Sequence, residues 1–431
     1  MILHRSALFA ALVATACAPR VAPAPAAPAP QAAAPPEPVS ICDLPGDSSA
    51  AADTLTVAAP GAVDPAHAPI PVTNAERVLF RQLYETLARG DCEGHLHPAL
   101  AASWSSPDGG RTWTVTLVDG AIFWDGVPVS ARDVLAAWGP AISGVADSAV
   151  ATGERTLLVR LRRPSPDGPA ALADPGLAIA KRVPGIAWPI GTGRYWVQGT
   201  GSEMIVTPLG GTRLPVVRWR TVAGDPRDLL DAGVDLLVTD DAGALAYAAT
   251  RADFASVPLP WDRTYVLLAA APLGATALPL DDLARHAVRV EARPAAPPFW
   301  WQSSSCAVGA PPASAPLPPG SAIVFAQGDP VARDLADRLV ALAPDGPGRR
   351  ALGLLPEAFA ARLVARSGDW FIVALPHTAL DPCAAGRDFA ARVPWLTRAG
   401  IVPLVDVRRR VLVRRAAARL SVDWDAVPRI R

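Results

Sequence analysis

Between Glu76 and Trp138 the spacing of apolar residues changes from helical to alternating and back, which predicts helix, strand and helix in turn. Asn74 stands ready to cap a helix in which Val78, Leu79, Leu83, Tyr84 and Leu87 recur at three- and four-residue steps, and Gly90 supplies its end. Thr112 to Leu117 alternates polar and apolar residues as a half-buried strand does, behind the turn Pro107-Asp108-Gly109-Gly110. Asp119-Gly120 predicts a second reversal, before a strand at Ile122, Phe123 and Trp124. Ser130 with Asp133 three residues on predicts a capping box, and Val134, Leu135 and Trp138 give the following helix an apolar face.

This series, in this order, resembles the bacterial extracellular solute-binding proteins of family 5. The residues that carry the resemblance are Tyr84-Glu85-Thr86-Leu87, Pro98-Ala99-Leu100-Ala101 with Trp104, Asp108-Gly109 with Trp113, and Asp125-Gly126 with Pro128 and Asp133. Pro189-Ile190-Gly191-Thr192-Gly193-Arg194-Tyr195 completes the set, with Arg where the family usually has Pro. Asp53 to Val57 is similar to the family's first strand and Val63-Asp64-Pro65 to the turn after it. Further on, Gly233-Val234-Asp235-Leu236, Tyr265 to Ala269 and Asp282 to Val288 with Arg285 resemble later motifs. The segments Ser321 to Phe325, Val331 to Leu342, Ala360 to Val373 and Ile401 to Leu404 match more loosely.

The resemblance implies an α/β, two-lobed periplasmic-binding-protein-like fold of type II, with a small inserted domain and a reduced third lobe. It divides the chain into a signal peptide at 1–16 and a lipid anchor with an Ala/Pro-rich linker at 17–52. Lobe I is expected from 53–75, 188–265 and 402–431, the inserted domain from 76–187, and lobe II from 266–401, with hinge crossings near 190 and 260–270. The implied function is a substrate-binding lipoprotein of an ABC-type importer that captures a small solute or peptide between its lobes and delivers it to permease subunits. The alternative is a transport-inactive surface lipoprotein that keeps the fold as a scaffold or partner-binding module. No cofactor, metal or catalytic residue is implied. The chain carries no H-E-x-x-H, G-x-S-x-G, P-loop or dinucleotide glycine pattern, so an enzyme is not expected.

The N-terminus fits export to the periplasm or cell surface. Arg5, an apolar run from Ala7 to Ala16, and small residues before Cys17 read as an export signal, with Cys17 as the lipidation site. Ala18 to Pro38 is nearly all Ala and Pro, a composition that favours extended polyproline II and spans on the order of 60 Å. Forty basic residues balance forty acidic ones, so the footprint of a nucleic-acid binder is missing, and a monomer is expected. Cys42, Cys92, Cys306 and Cys383 remain for two disulfides. Three connectivities are open, and Cys42 with Cys92 and Cys306 with Cys383 is the favoured one.

For ligand contact the resemblance singles out Pro60, Gly61, Asp64, Thr192, Tyr265, His377, Thr378 and Asp381, and the aromatic pair Trp300-Trp301 offers a rigid apolar wall. Thr378 stands where peptide-binding relatives place an acid that meets the ligand's amino terminus, and a buried ammonium without such a partner is costly. A small apolar or anionic solute is therefore expected in preference to ordinary short peptides. Asp91, Cys92, Glu93, His95 and His97 have metal-ligand chemistry, but no metal site is assigned to them.

Overall fold

The computed structural model describes residues 42–44, 53–210, 214–222, 224–269, 291–295, 322–341, 350–365, 369–376, 389, 391–396, 401–414 and 420–430. Three larger sheets organise them.

The first sheet has seven strands in the order Tyr195–Gln198, Glu203–Pro208, Val216–Val222, Thr54–Pro60, Leu236–Thr239, Arg410–Arg414, Phe254–Pro258. Thr54–Pro60 lies parallel to both neighbours and its residues from Leu55 to Ala59 are mostly buried, as expected of a central strand covered on both faces. On one face sits the helix Asn74–Leu83, whose Val78, Leu79 and Leu83 pack on Leu55, Val57, Trp219 and Val411. On the other, Leu230, Val234 and Ala248 close over Ala58, Leu237 and Leu412.

The second sheet has six strands, ordered Glu291–Pro294, Ile401–Arg408, Arg263–Ala269, Trp370–Pro376, Ile323–Ala326, Ala351–Leu354. The helix Pro330–Ala341 lays Val331, Leu335 and Leu339 on one face of it. The third is an antiparallel sheet of Ala101–Ser105, Thr112–Leu117, Thr156–Leu161 and Ala146–Ala151. Its apolar face meets Val134 and Trp138 of the helix Ala131–Trp138, whose Ser130–Asp133 capping box is formed.

Several expectations change. Thr73, not Asn74, caps the first helix, because Glu76 stands three residues after it and closes a capping box. The helix also stops at Leu83, and Tyr84 turns extended. Its continuation is taken by long-range pairing: Leu83 O accepts from Gly193 N at 2.9 Å, and Glu85 O accepts from Ile179 N at 2.8 Å. Ala88–Gly90, expected at the helix end, is a short strand against Leu96–Pro98. Ile122 makes one bridge to Pro128 and no strand, since the chain reverses again at Gly126.

The expected domain limits shift as well. Residues 76–83 pack in the core of the first sheet, not with the inserted sheet, because their apolar face matches that sheet's side chains. Residues 401–408 pair with Arg263–Ala269 in the second sheet, so the last segment joins the first sheet only from Arg410. The segment near 190 pairs with Ala180–Lys181 and does not run between the two large sheets. The chain passes between them at 259–262 and returns at Arg409, where Leu259 N donates to Arg409 O at 3.0 Å.

Candidate functional site

Where these two crossings lie side by side, residues of the first helix, the crossings, the second sheet and the C-terminal segment line an open cavity of about 350 Å³. Asn74 and Arg77 reach it from the first helix, Asp174, Pro175 and Gly176 from a turn beyond the four-stranded sheet, and Asp262, Arg263 and Arg409 from the crossings. Pro376 ends a strand of the second sheet on its wall, and Trp424 and Asp425 complete it from the C-terminal segment. That size falls in the range of about 300–1,000 Å³ that holds small molecules.

Two charge clusters line it. In the first, the buried Arg409 meets Asp262 Oδ2 at 3.0 Å through Nη2 and donates to Asn74 Oδ1 at 3.0 Å through Nη1. Burial first, then the neighbouring charges of Arg263 and Arg77, pull its pKa down, against the pull of Asp262. Arg263 is held more loosely, at 3.4 Å from both Asp240 and Asp262. Burial lowers its pKa, but Asp262, Tyr265 and Asp240 more than offset that and raise it.

The second cluster hangs on a C-terminal tongue. Leu420–Val422 and Pro428–Ile430 pair, with Asp43–Leu44 on the outer side, and the turn between them projects Asp423, Trp424 and Asp425. Gln82 of the first helix pins the tongue by donating to Pro428 O at 3.1 Å and accepting from Ile430 N at 3.2 Å. Asp425 Oδ2 then takes Arg81 at 2.6 Å and Arg77 at 3.3 Å, while Asp423 meets Arg81 at 3.5 Å and Arg429 at 3.2 Å. Burial would raise the Asp425 pKa, but Arg81 and Arg77 outweigh it and hold the carboxyl below the usual range. The Cys42–Cys92 disulfide, the first of the two favoured pairs, fixes the segment leading into Asp43–Leu44.

The residues singled out in the sequence fall elsewhere. Pro60 ends a strand against Val222, and Gly61 has φ +106° and lies so close to Thr73 that a side chain would crowd it. Asp64 is exposed and accepts from Ala66 N at 2.8 Å in its own turn. Thr192 is buried and accepts from Glu85 N at 3.4 Å. Tyr265 points into the core of the second sheet, its hydroxyl donating to Asp329 at 3.1 Å. None of these five lines the cavity. Trp300, Trp301, His377, Thr378 and Asp381 lie outside the described residues, as do Cys17, Cys306 and Cys383.

Missed instead were Arg77, Asp262, Arg263, Arg409, Trp424 and Asp425. Asp262-Arg263, immediately before the Tyr265 motif, and the run Arg408-Arg409-Arg410 were the available signals. The expected preference for an anion also meets an obstacle, because each lining arginine already holds an aspartate. Near Cys92, His97 Nε2 lies 2.8 Å from Asp91 Oδ2 and His95 Nδ1 3.4 Å from it, while the Cys42 sulfur beside Asp91 and Glu93 is spent in the disulfide.

Comparison with known proteins agrees with this architecture. The profile described as "Bacterial extracellular solute-binding proteins, family 5 Middle" matches residues 95–206. The periplasmic murein peptide-binding protein MppA of Escherichia coli is 39% identical over 79 residues, 18% of this chain and 14% of that protein. The nickel-binding periplasmic protein of Escherichia coli is 36% identical over 86 residues, 20% of this chain and 16% of that protein. These alignments thus span a small part of either relative. Fold similarity reaches much further. NikA of Brucella suis, solved in complex with Fe(III)-EDTA, superposes with a TM-score of 0.64 at 16% identity, covering 84% of this chain and 95% of that one. CtaP of Listeria monocytogenes, an ABC transporter substrate-binding protein, gives 0.62 at 14% identity, covering 86% and 94%. The profile over residues 95–206, the local identities and the two-lobed fold agree in likening the chain to family 5 of the bacterial extracellular solute-binding proteins.

Proposed function

We propose that this chain is the solute-binding subunit of an ABC-type importer, working outside the cytoplasm and held to a membrane through a lipid on Cys17. The observation that carries this reading is the cavity of about 350 Å³ lined by Asn74 and Arg77 of the helix on the first sheet and by Arg263 and Pro376 of the second sheet, at the place where the chain crosses between the sheets. A solute there touches both lobes at once, so its binding energy can favour the closed arrangement, and a permease can then distinguish loaded from empty protein by shape. Relatives support the same role: MppA is named for murein peptides and CtaP as a transporter's substrate-binding protein. The division into a signal peptide, a linker, two lobes and an inserted domain is part of this reading.

Mass spectrometry of the natively purified protein for a co-purifying solute, backed by thermal shifts against amines, amino acids, short peptides, carboxylates and apolar solutes, tests it. A bound solute or a saturable rise in melting temperature is the expected result. Absence of both across every class overturns the reading.

A further inference from the structure

Away from the cavity, the hairpin of Ala88–Gly90 and Leu96–Pro98 gathers two imidazoles and two carboxylates at its turn. Two of the chain's six histidines, His95 and His97, stand two apart here, so their side chains leave the chain on one side. Leu96 between them goes to the other, so near Gly168 that a side chain there would strike it. Asp91 faces the rings from the opposite arm. Its Oδ2 lies 2.8 Å from His97 Nε2 and 3.4 Å from His95 Nδ1, and that same Nδ1 is 3.9 Å from Glu93 Oε2. Asp91 Oδ1 accepts from Glu93 N at 3.0 Å and from His95 N at 2.9 Å, which keeps Oδ2 aimed at the two rings. The backbone beneath is fixed as well: Asp91 N donates to His95 O at 3.0 Å, Gly94 N donates to Asp91 O at 3.0 Å, and the adjacent Cys92 is tied to Cys42. None of these four residues lines the cavity.

We infer that Asp91, His95 and His97, with Glu93 as fourth donor, form a surface site for a divalent cation of the zinc class, apart from the solute cavity. Zinc bonds of about 2.0–2.2 Å at tetrahedral angles keep neighbouring donor atoms about 3.3–3.6 Å from one another. The Asp91–His95 spacing already has that value, and the His97–Asp91 and His95–Glu93 spacings lie about half an ångström or less to either side of it. His95 and His97, with side chains 70% and 42% exposed, have room to turn and close the difference. Two imidazoles with carboxylates suit zinc and exclude a preference for calcium or magnesium, while the sulfurs of Cys42 and Cys92 are spent on each other. Such an ion clamps the two arms of the hairpin together. Asp91 also bridges Asp423 of the tongue, and Trp424 N donates to Gly90 O at 3.4 Å, so the clamp steadies a segment that walls the cavity.

Calorimetric titration of the untagged full chain, stripped of metal with a chelator and dialysed, tests this with zinc, calcium and magnesium. Zinc should bind and raise the melting temperature by mass action, and calcium and magnesium should do neither. His95→Ala and His97→Ala should each weaken zinc binding at least about tenfold, and the double variant should remove this ion. Both side chains are exposed, so the metal-free melting temperature should stay unchanged in the variants, which separates loss of a ligand from loss of fold. His67→Ala, at a histidine that pairs with Glu76 outside the hairpin, should leave zinc affinity as it was. Cobalt as a stand-in should give the visible bands of a tetrahedral nitrogen and oxygen set without a thiolate charge-transfer band. Zinc held as tightly by the double variant, calcium bound as tightly as zinc, a thiolate band with cobalt, or no zinc binding below about 1 mM overturns the assignment. Each of those results leaves the importer reading intact.

Discussion

The two charge clusters on the cavity wall differ in how far their hydrogen bonds are completed. At the crossings, Arg409 reaches Asp262 and Asn74, and no buried atom of that trio is left without a partner among the described residues. On the tongue, Asp425 gathers Arg77 and Arg81 on one oxygen and keeps the other unpartnered, next to an unpartnered indole N–H. A completed cluster fixes the backbone it joins. An incomplete one leaves buried polar atoms whose loss of water is not repaid within the described residues.

The sharpest way to break this contrast is to remove the acid. Asp425→Ala leaves the buried Arg81 with only the longer Asp423 contact at 3.5 Å. Urea unfolding should show a loss of about 3–5 kcal/mol, the range for stripping one partner from a buried pair. A loss below about 1 kcal/mol would mean that the tongue cluster behaves like a surface pair. Arg409→Met should cost less, about 2 kcal/mol, because Arg263 still stands 3.4 Å from the abandoned Asp262. The same titration checks it, and a loss larger than that of Asp425→Ala would reverse the order of the two clusters.

Acid sharpens the comparison further. The Asp425 carboxyl titrates below its unfolded value, so its stabilisation is fully present above the unfolded pKa of about 3.9 and is lost as pH falls through the lower folded value. Glu76 acts in the same direction: burial raises its pKa, but the N–H groups of Asp64, Val72 and Thr73 with His67 outweigh that and lower it. Stability should therefore decline below about pH 4, and Asp425→Ala should show a shallower decline than the parent. Parallel curves for the two proteins would remove Asp425 from the account. The smallest effect is expected at Arg155→Ala, which breaks an exposed pair with Asp119 at 2.6 Å and should shift stability by less than about 0.5 kcal/mol.

What the sequence disclosed depended on range. Thr112–Leu117 has the limits that alternation predicts, and the Ser130–Asp133 box is complete within four residues. The first helix was over-extended because Tyr84 and Leu87 keep the helical spacing, while the backbone that ends it belongs to Ile179 and Gly193, about a hundred residues away. Its cap was legible in Thr73-x-x-Glu76 and was passed over for Asn74. The cavity was hardest to read, since Arg81 meets Asp425 across 344 residues and no local spacing encodes such a pair. The family motifs led to Thr192 and Tyr265, which bond to Glu85 and Asp329 within the frame and do not line the cavity.

The double crossing has a mechanical consequence. Residues 259–262 and Arg409 run as one hydrogen-bonded ribbon, joined by Leu259 N to Arg409 O at 3.0 Å and Asp262 N to Val407 O at 3.3 Å. A two-stranded ribbon bends and twists readily, whereas sliding one strand along the other would break its register. Sliding of the two large sheets past one another at this ribbon is then disfavoured, and bending or twisting of the ribbon is the softer mode. Such bending changes the distance of Arg263, Arg409 and Pro376 from the tongue while the ribbon's register keeps their order along the cavity wall.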